Sequence, residues 1–471
     1  MYYDELLGLC GYEPAEIEKE RPRVERTLEK AELTPEDVKE AAKHVKHYYN
    51  VEVEGVSQTL GLWLKCFIDV VLAKEEGKKV VYASAPPFYY LMAAMAGVSE
   101  DIYVCMPGVA VGSAMGPIFN KTKPILEAAE ADLLPPALAN CAQLQLELGG
   151  IIKGVIPVPD LIFSMAYACD QTPELDERLG EIYGVPIIYV EGPNDQMGGE
   201  WPVIHYPKIK YIAEEARSAL AQFEEFIGHK VSEESIRQSL QKCDGIFEGD
   251  QRIRDLYSNA DPLPINFATF VSIGQIAPTL ATTLMFDDVR GVLDLAYEGI
   301  KKRVDRGEGV TPKGAPRIRV FTPWITDPTV SAMIEKAGLA IVGYTGTEIP
   351  EADQRESEKY TDLWEQGARI VSTAGPPDCG LGSSKALSTV CRQYKEKGEL
   401  DGVLLNYWFT CRPNSLCPFK MKELIAQESG IPTLVVESNM FDTRDINTES
   451  LRTRIEAFAE VLKAAKTSKA S

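Results

Sequence analysis

The stretch Val403–Pro418 reads VLLNYWFTCRPNSLCP, an apolar run that ends in a polar turn with two cysteines. The apolar run predicts a buried strand of a parallel sheet. In open α/β sheets, ligands bind at the loops that follow the carboxyl ends of strands. The turn therefore indicates a ligand loop whose thiols, Cys411 and Cys417, could hold a metal or a cluster. The alternative at this point is two buried structural cysteines, because free cysteine packs like a small hydrophobe.

Composition narrows the class of protein. The 471 residues, 45% hydrophobic and 25% charged, are typical of a globular protein of two or three domains. A net charge of −21 argues against nucleic acid and anionic membrane as partners, since both require basic surface. The first residues lack the basic region of a signal peptide, and we expect a cytoplasmic protein. Ten cysteines in that reducing compartment favour metal binding or catalysis over disulfides.

Strands and helices alternate in two separate regions of the chain. This pattern predicts an α/β fold of two Rossmann-like parallel-sheet domains with helical N-terminal and inter-domain segments. We predict a helical region over 1–75, a first cluster-binding α/β domain over 76–205, a helical segment over 206–310 and a second α/β domain over 311–471. The Gly- and Pro-rich stretch Gly307–Pro316 marks the last boundary.

The second α/β region repeats the plan of the first. The segment from Gly430 through a proline and an apolar run to Glu437 corresponds to the segment from Gly184 to Glu191. On the same register, Cys141 corresponds to Cys379 and Cys169 corresponds to Cys411. We interpret this ordered recurrence as an internal duplication rather than as a chance likeness of two parallel sheets.

The duplication divides the cysteines into two groups. Three from each half are predicted on loops at strand ends or helix starts: Cys105, Cys141, Cys169, Cys379, Cys411 and Cys417. Two facing domains would bring these six thiols to one cleft, and six thiolates without histidine favour iron–sulfur chemistry. Zinc is disfavoured because its sites normally use close pairs such as C-x2-C, which this chain lacks. The other four cysteines are interpreted as structural: Cys10, Cys66, Cys243 and Cys391.

These residues resemble the 2-hydroxyacyl-CoA dehydratase / benzoyl-CoA reductase family, which includes double-cubane cluster proteins. The resemblance runs over roughly residues 76–465 and is clearest from Cys411 to Pro432 and over Arg452–Phe458. The family pattern implies a 4Fe-4S cluster on Cys105, Cys141 and Cys411 with an open fourth iron site. The additional Cys169, Cys379 and Cys417 resemble the double-cubane members, in which an 8Fe-9S cluster shares a bridging sulfide.

The resemblance implies a low-potential reductase component that reduces a small substrate at a double-cubane cluster. Its electrons would come from a separate ATP-hydrolysing activator, and this chain contains no P-loop of its own. A homodimer, or a heterodimer with a related subunit, is expected. The alternatives are a 4Fe-4S subunit acting on an acyl-CoA substrate, and a non-catalytic electron carrier or cluster scaffold. Proton-donor candidates are His205, Tyr407 and Glu437.

Overall fold

The computed structural model describes residues 1–83, 89–132, 140–166, 169–192, 206–280, 285–321, 327–345, 360–374, 381–415, 418–444 and 446–470. Within these ranges the chain is mixed α/β with two parallel sheets, which confirms the predicted fold class. No helix of the described ranges is long and apolar enough to cross a membrane.

The chain begins with four helices: α1 (Asp4–Leu9), α2 (Pro14–Lys30), α3 (Pro35–Tyr48) and α4 (Val56–Leu72). Helix α3 starts with a capping box, in which the Asp37 carboxylate accepts the Thr34 backbone N–H at 3.0 Å and Thr34 Oγ1 accepts the Asp37 N–H at 3.3 Å. Helix α4 is apolar on nearly all sides and is consequently buried. Trp63 on α4 donates its indole N–H to the Ser272 carbonyl at 3.1 Å, which ties this helix to the middle of the chain.

The first sheet contains β1 (Lys79–Tyr82), β2 (Ile102–Cys105), β3 (Leu161–Met165) and β4 (Ile187–Val190). All pairs are parallel and the spatial order is β2-β1-β3-β4. The associated helices are α5 (Tyr89–Ala96), α6 (Pro107–Met115), α7 (Lys123–Asp132), α8 (Ala142–Ile152) and α9 (Gln171–Tyr183). The five residues of β3 are all buried, as expected of a parallel strand covered on both faces.

Between the two sheets, the described residues form the helices α10 (Tyr206–Ile227), α11 (Glu233–Asn259), α12 (Phe267–Gly274), α13 (Ile276–Leu280) and α14 (Phe286–Asp305). Tyr257 of α11 stacks on Phe270 of α12 with ring centroids 3.9 Å apart. The Tyr257 hydroxyl donates to the Ile341 carbonyl at 2.9 Å, so this helical layer is joined to the second sheet.

The second sheet contains β5 (Arg317–Phe321), β6 (Ala340–Thr345), β7 (Gly402–Trp408) and β8 (Thr433–Ser438). Its parallel order, β6-β5-β7-β8, is the order of the first sheet. Its helices are α15 (Pro328–Lys336), α16 (Leu363–Ala374), α17 (Leu381–Glu396), α18 (Arg412–Ser415), α19 (Pro418–Glu428) and α20 (Thr448–Ala470). In each sheet the connections reverse direction between the first and third strands, and such switch points are where α/β sheets bind ligands.

The two halves are in close contact. A Cβ atom added to Gly112 of α6 would lie 2.7 Å from the ring of Phe441, which follows β8. Arg444 also reaches across the interface and donates to the Glu130 carboxylate of α7 at 3.0 Å. The carboxyl ends of β3 and β7, which carry the cysteine loops, are joined across this same interface.

Candidate functional site

Three of the predicted thiols lie immediately before helix starts. Cys141 is the N-cap residue of α8 and is 7% exposed. Cys169 follows β3 and precedes α9, and Cys411 follows β7 and precedes α18. Cys169 and Cys411 thus occupy the same place in the two halves, after the third strand of each sheet.

The three thiols interact electrostatically. Burial and, to a smaller extent, the charge of Cys169 together raise the pKa of Cys141 to about 12. Burial also raises the pKa of Cys411 well above its ordinary value, and both Cys141 and Cys169 add to this rise. Cys141 and Cys169 of the first half therefore lie near Cys411 of the second half. Backbone N–H groups of Gln143 and Leu144 at Cys141, and of Asn414 at Cys411, favour the thiolates.

Gln171 connects the loop of Cys169 to the loop of Cys411. Its side chain is 0% exposed. Nε2 donates to the Thr410 carbonyl at 3.2 Å, and Oε1 accepts the backbone N–H of Arg412 at 3.2 Å. One side-chain amide therefore bonds the backbone on both sides of Cys411, which limits how far the two loops can separate.

Arg412 supplies a positive charge at the same place. Its guanidinium pairs with Asp170 at 3.4 Å and also donates to Glu174. The charge of Cys169 also contributes to the raised pKa of the Arg412 guanidinium. Two carboxylates, those of Asp170 and Glu174, already pair with this cation.

Three N–H donors near Cys411 are buried and have no acceptor within the described ranges: Trp408 Nε1, Arg412 Nε and Asn414 Nδ2. Native proteins leave few buried donors without a partner, and each such group calls for an explanation. Thiolate and sulfide sulfur atoms of iron–sulfur clusters accept hydrogen bonds of this kind. The donor set therefore fits an anionic, sulfur-rich group on these thiols.

The spacing of the thiols also bears on the kind of metal. Within the residues that the structure describes, no three His, Cys, Asp or Glu side chains group tightly enough to hold a metal ion. The thiols nonetheless interact across the interface. The described side chains therefore do not form a metal-ion site by themselves, although the thiol loops meet across the interface.

Cys105 is three residues before Gly108, where an added Cβ atom would lie 2.2 Å from the Gln143 carbonyl near the start of α8. Cys105 ends β2, pairs in register with Tyr82 and is 0% exposed. Burial raises its pKa, and its strongest electrostatic neighbours are Cys66 and Glu147. The segment after Cys105 therefore adjoins the helix start that carries Cys141, and the role of Cys105 as a ligand stays a prediction.

The remaining predicted residues divide into two groups. Cys379, Cys417 and His205 lie outside the described residues. Tyr407 and Glu437 stand on neighbouring strands, and the Tyr407 hydroxyl donates to the Glu437 carboxylate at 2.7 Å. Burial and this carboxylate raise the pKa of Tyr407 to about 12, so its hydroxyl keeps its proton at neutral pH.

Gln171, Arg412, Trp408 and Asn414 had not been predicted as site residues. Arg412 and Asn414 stand within three residues of Cys411, so their position in the turn was a usable signal. Gln171 follows Cys169 by two residues, but nothing in the sequence pairs it with residues 410 and 412.

Comparison with known proteins gives concordant matches. The family model described as 2-hydroxyglutaryl-CoA dehydratase, D-component, matches residues 97–462. The chain is 21% identical over 313 residues to the alpha subunit of (R)-2-hydroxyglutaryl-CoA dehydratase from Acidaminococcus fermentans, covering 66% of this chain and 61% of that relative. It is 21% identical to the alpha subunit of lactoyl-CoA dehydratase from Anaerotignum propionicum, covering 66% of this chain and 70% of the relative. It is 22% identical to the B subunit of benzoyl-CoA reductase from Thauera aromatica, covering 68% of this chain and 76% of the relative.

Proposed function

The chain belongs to the 2-hydroxyglutaryl-CoA dehydratase D-component family, and from that premise we propose that it is an iron–sulfur component of a low-potential reduction. Cys141, Cys169 and Cys411 are the proposed cluster ligands. The observation that carries this proposal is the pair of Gln171 hydrogen bonds that join the loop of Cys169 to the loop of Cys411 across the two halves. Buried thiolates are unfavourable without a compensating cation, and a metal cluster supplies that cation.

When bound, such a cluster supplies one-electron chemistry at low potential. The chain's own residues would hold it and control its surroundings. The three thiolates anchor the cluster, and Gln171 keeps the second-half ligand aligned with the first-half ligands. Arg412 balances negative charge beside Cys169. Tyr407, protonated at neutral pH and bonded to Glu437, is a proton-donor candidate near the end of β7, the strand that precedes Cys411.

The proposed partners follow from the family. The three relatives are named as subunits of two dehydratases and a reductase, each of which is named for a CoA thioester. We propose a dimer of two copies or of this chain with a related subunit, and electron delivery by a separate ATP-hydrolysing activator. An acyl-CoA thioester is the first substrate class to test. The chain matches less than two thirds of the length of the first relative, so its substrate is an independent question.

The number of cubanes is open to direct measurement. A 4Fe-4S cluster would be held by Cys141 and Cys411 together with Cys105, as the resemblance implies, or with Cys169, as proposed here. The double-cubane proposal adds Cys379, the counterpart of Cys141 in the duplication, together with Cys417 and Cys105.

Iron and acid-labile sulfide analysis of anaerobically purified protein tests the proposal. We expect about four irons per chain for one cubane and about eight for the double cubane. Zinc without sulfide would overturn the cluster assignment. A reduced protein that turns over an acyl-CoA thioester, in the presence of an activator, is an enzyme component. Reversible reduction with no turnover of any thioester would instead favour an electron carrier.

A further inference from the structure

The turn around Cys411 is closed by its own hydrogen bonds. The Cys411 N–H donates to the Trp408 carbonyl at 3.0 Å, and the Asn414 side-chain oxygen accepts the Trp408 N–H at 2.6 Å. The Asn414 N–H also favours the Cys411 thiolate. Trp408 and Asn414 are therefore held on either side of Cys411 in the turn by contacts that leave their side-chain N–H groups unused.

These unused N–H groups are buried. Asn414 is 1% exposed, and neither its Nδ2 nor Trp408 Nε1 has an acceptor within the described ranges. The acidic side chains of the adjoining loop, Asp170 and Glu174, are engaged by the outer nitrogens of Arg412. The amide of Gln171 is occupied by backbone groups of residues 410 and 412. The polar groups of the neighbouring loop are therefore already committed to other partners.

We propose that Trp408 and Asn414 are positioning residues whose side-chain N–H groups donate to the sulfur atoms of the cluster on Cys141, Cys169 and Cys411. This inference rests on the proposed function. An N–H donor stabilises the added negative charge after reduction more than it stabilises the oxidised cluster. The two donors therefore raise the midpoint potential of the bound cluster, and the turn sets how readily the site accepts an electron.

Two conservative substitutions remove the donors without touching a ligand. Trp408→Phe removes the indole N–H and keeps an aromatic ring. Asn414→Asp keeps the oxygen that accepts the Trp408 N–H and removes the side-chain donor, but it also adds a negative charge, so the uncharged Trp408→Phe variant is the decisive one. Matched controls make the same chemical changes away from the thiols. Trp63→Phe removes a donor that bonds the Ser272 carbonyl at 3.1 Å. Asn266→Asp keeps the acceptor of the Thr269 N–H and removes a donor to the Tyr48 carbonyl at 2.8 Å.

The readouts are iron content and the midpoint potential of the full-length protein, measured by an anaerobic redox titration followed by electron paramagnetic resonance. We expect both site variants to keep their iron and to shift to lower potential, the double variant to shift furthest, and both controls to match the parent protein. Full iron content with an unchanged potential in both site variants would overturn the inference and leave the proposed function intact. A parent protein without iron would instead overturn the proposed function itself. If Asn414→Asp disturbs the turn, Trp408→Phe decides alone.

Discussion

Gln171 and Thr410 belong to different halves of the chain, and the side-chain amide of Gln171 donates to the Thr410 carbonyl at 3.2 Å. The oxygen of the same amide accepts the Arg412 N–H, also at 3.2 Å. The backbone that carries Cys411 is therefore located by a residue whose own backbone follows Cys169. The position of Cys411 relative to Cys169 therefore depends on the contact between the two halves.

Replacing Gln171 by Glu is expected to weaken both the interface and the site. A carboxylate cannot donate to the Thr410 carbonyl, and the substitution places a charge in a buried position. We expect a loss of roughly 1–3 kcal/mol in the free energy of unfolding and faster loss of iron to a chelator. Denaturant titration and chelator kinetics measure the two effects. Gln222→Glu, on the exposed face of α10, is the control, and equal behaviour of the two variants would contradict this role.

Serine substitutions distinguish the two 4Fe-4S ligand sets. Cys169→Ser is expected to lose most of the bound iron, because Cys169 interacts with both Cys141 and Cys411. Cys105→Ser is expected to keep the iron and to destabilise the fold, because it places a more polar hydroxyl at a fully buried position. Iron analysis and thermal unfolding report on each. The reverse pattern would restore Cys105 as a ligand.

The raised pKa of Glu335 predicts that the stability of the protein depends on pH. Its carboxylate accepts the Phe267 N–H at 2.7 Å, and burial raises its pKa to about 7 from an ordinary value of 4.5. The folded state therefore binds this proton more tightly than the unfolded state does. Its stabilising effect is complete below pH 4.5 and is lost as the pH rises through 7, by at most roughly 3 kcal/mol.

Glu335→Gln removes that proton while keeping an oxygen for the Phe267 N–H. We expect the variant to become more stable relative to the parent protein as the pH rises from about 5 to about 8, measured by urea titration at each pH. Glu298→Gln changes an exposed glutamate and should leave the pH profile unchanged. A constant difference between the Glu335→Gln and parent curves would contradict the raised pKa.

Gly112→Ala tests the contact between α6 and Phe441. The added methyl group would lie 2.7 Å from the Phe441 ring, in a region where both residues are buried. We expect a loss of about 1–3 kcal/mol in the free energy of unfolding, since overpacking forces neighbouring groups to move. Gly8→Ala is the matched control, because a Cβ atom at Gly8 of α1 meets nothing within 4 Å. That change should be neutral or stabilise the protein by up to about 1 kcal/mol.

The fold was largely predictable from periodicity. The apolar run that starts at Val403 corresponds to β7, and the repeated strand–helix plan corresponds to two sheets of the same order. The predicted domain boundaries remain predictions. The loop position of Cys169 and Cys411 was also readable, because each follows the third strand of its sheet.

The grouping of the thiols was harder to predict because it depends on the direction in which each side chain points in the folded protein. Successive side chains of a strand point to opposite faces. Cys105 and Tyr103 therefore share a face, and both are affected by Cys66 of α4. Sequence places Cys105 at a strand end but does not specify that face. The bonds of Gln171 were equally hidden, because its partners are backbone groups, which every residue possesses.

Division of the three thiols between the halves has a consequence for biogenesis. Cys141 and Cys169 are synthesised long before Cys411, and a truncated chain that ends before residue 411 lacks one member of the set. The set is complete only after both sheets have formed and Gln171 has met its partners across the interface. Metallation would then be the last step of maturation, and bound iron would mark chains whose two halves have docked correctly.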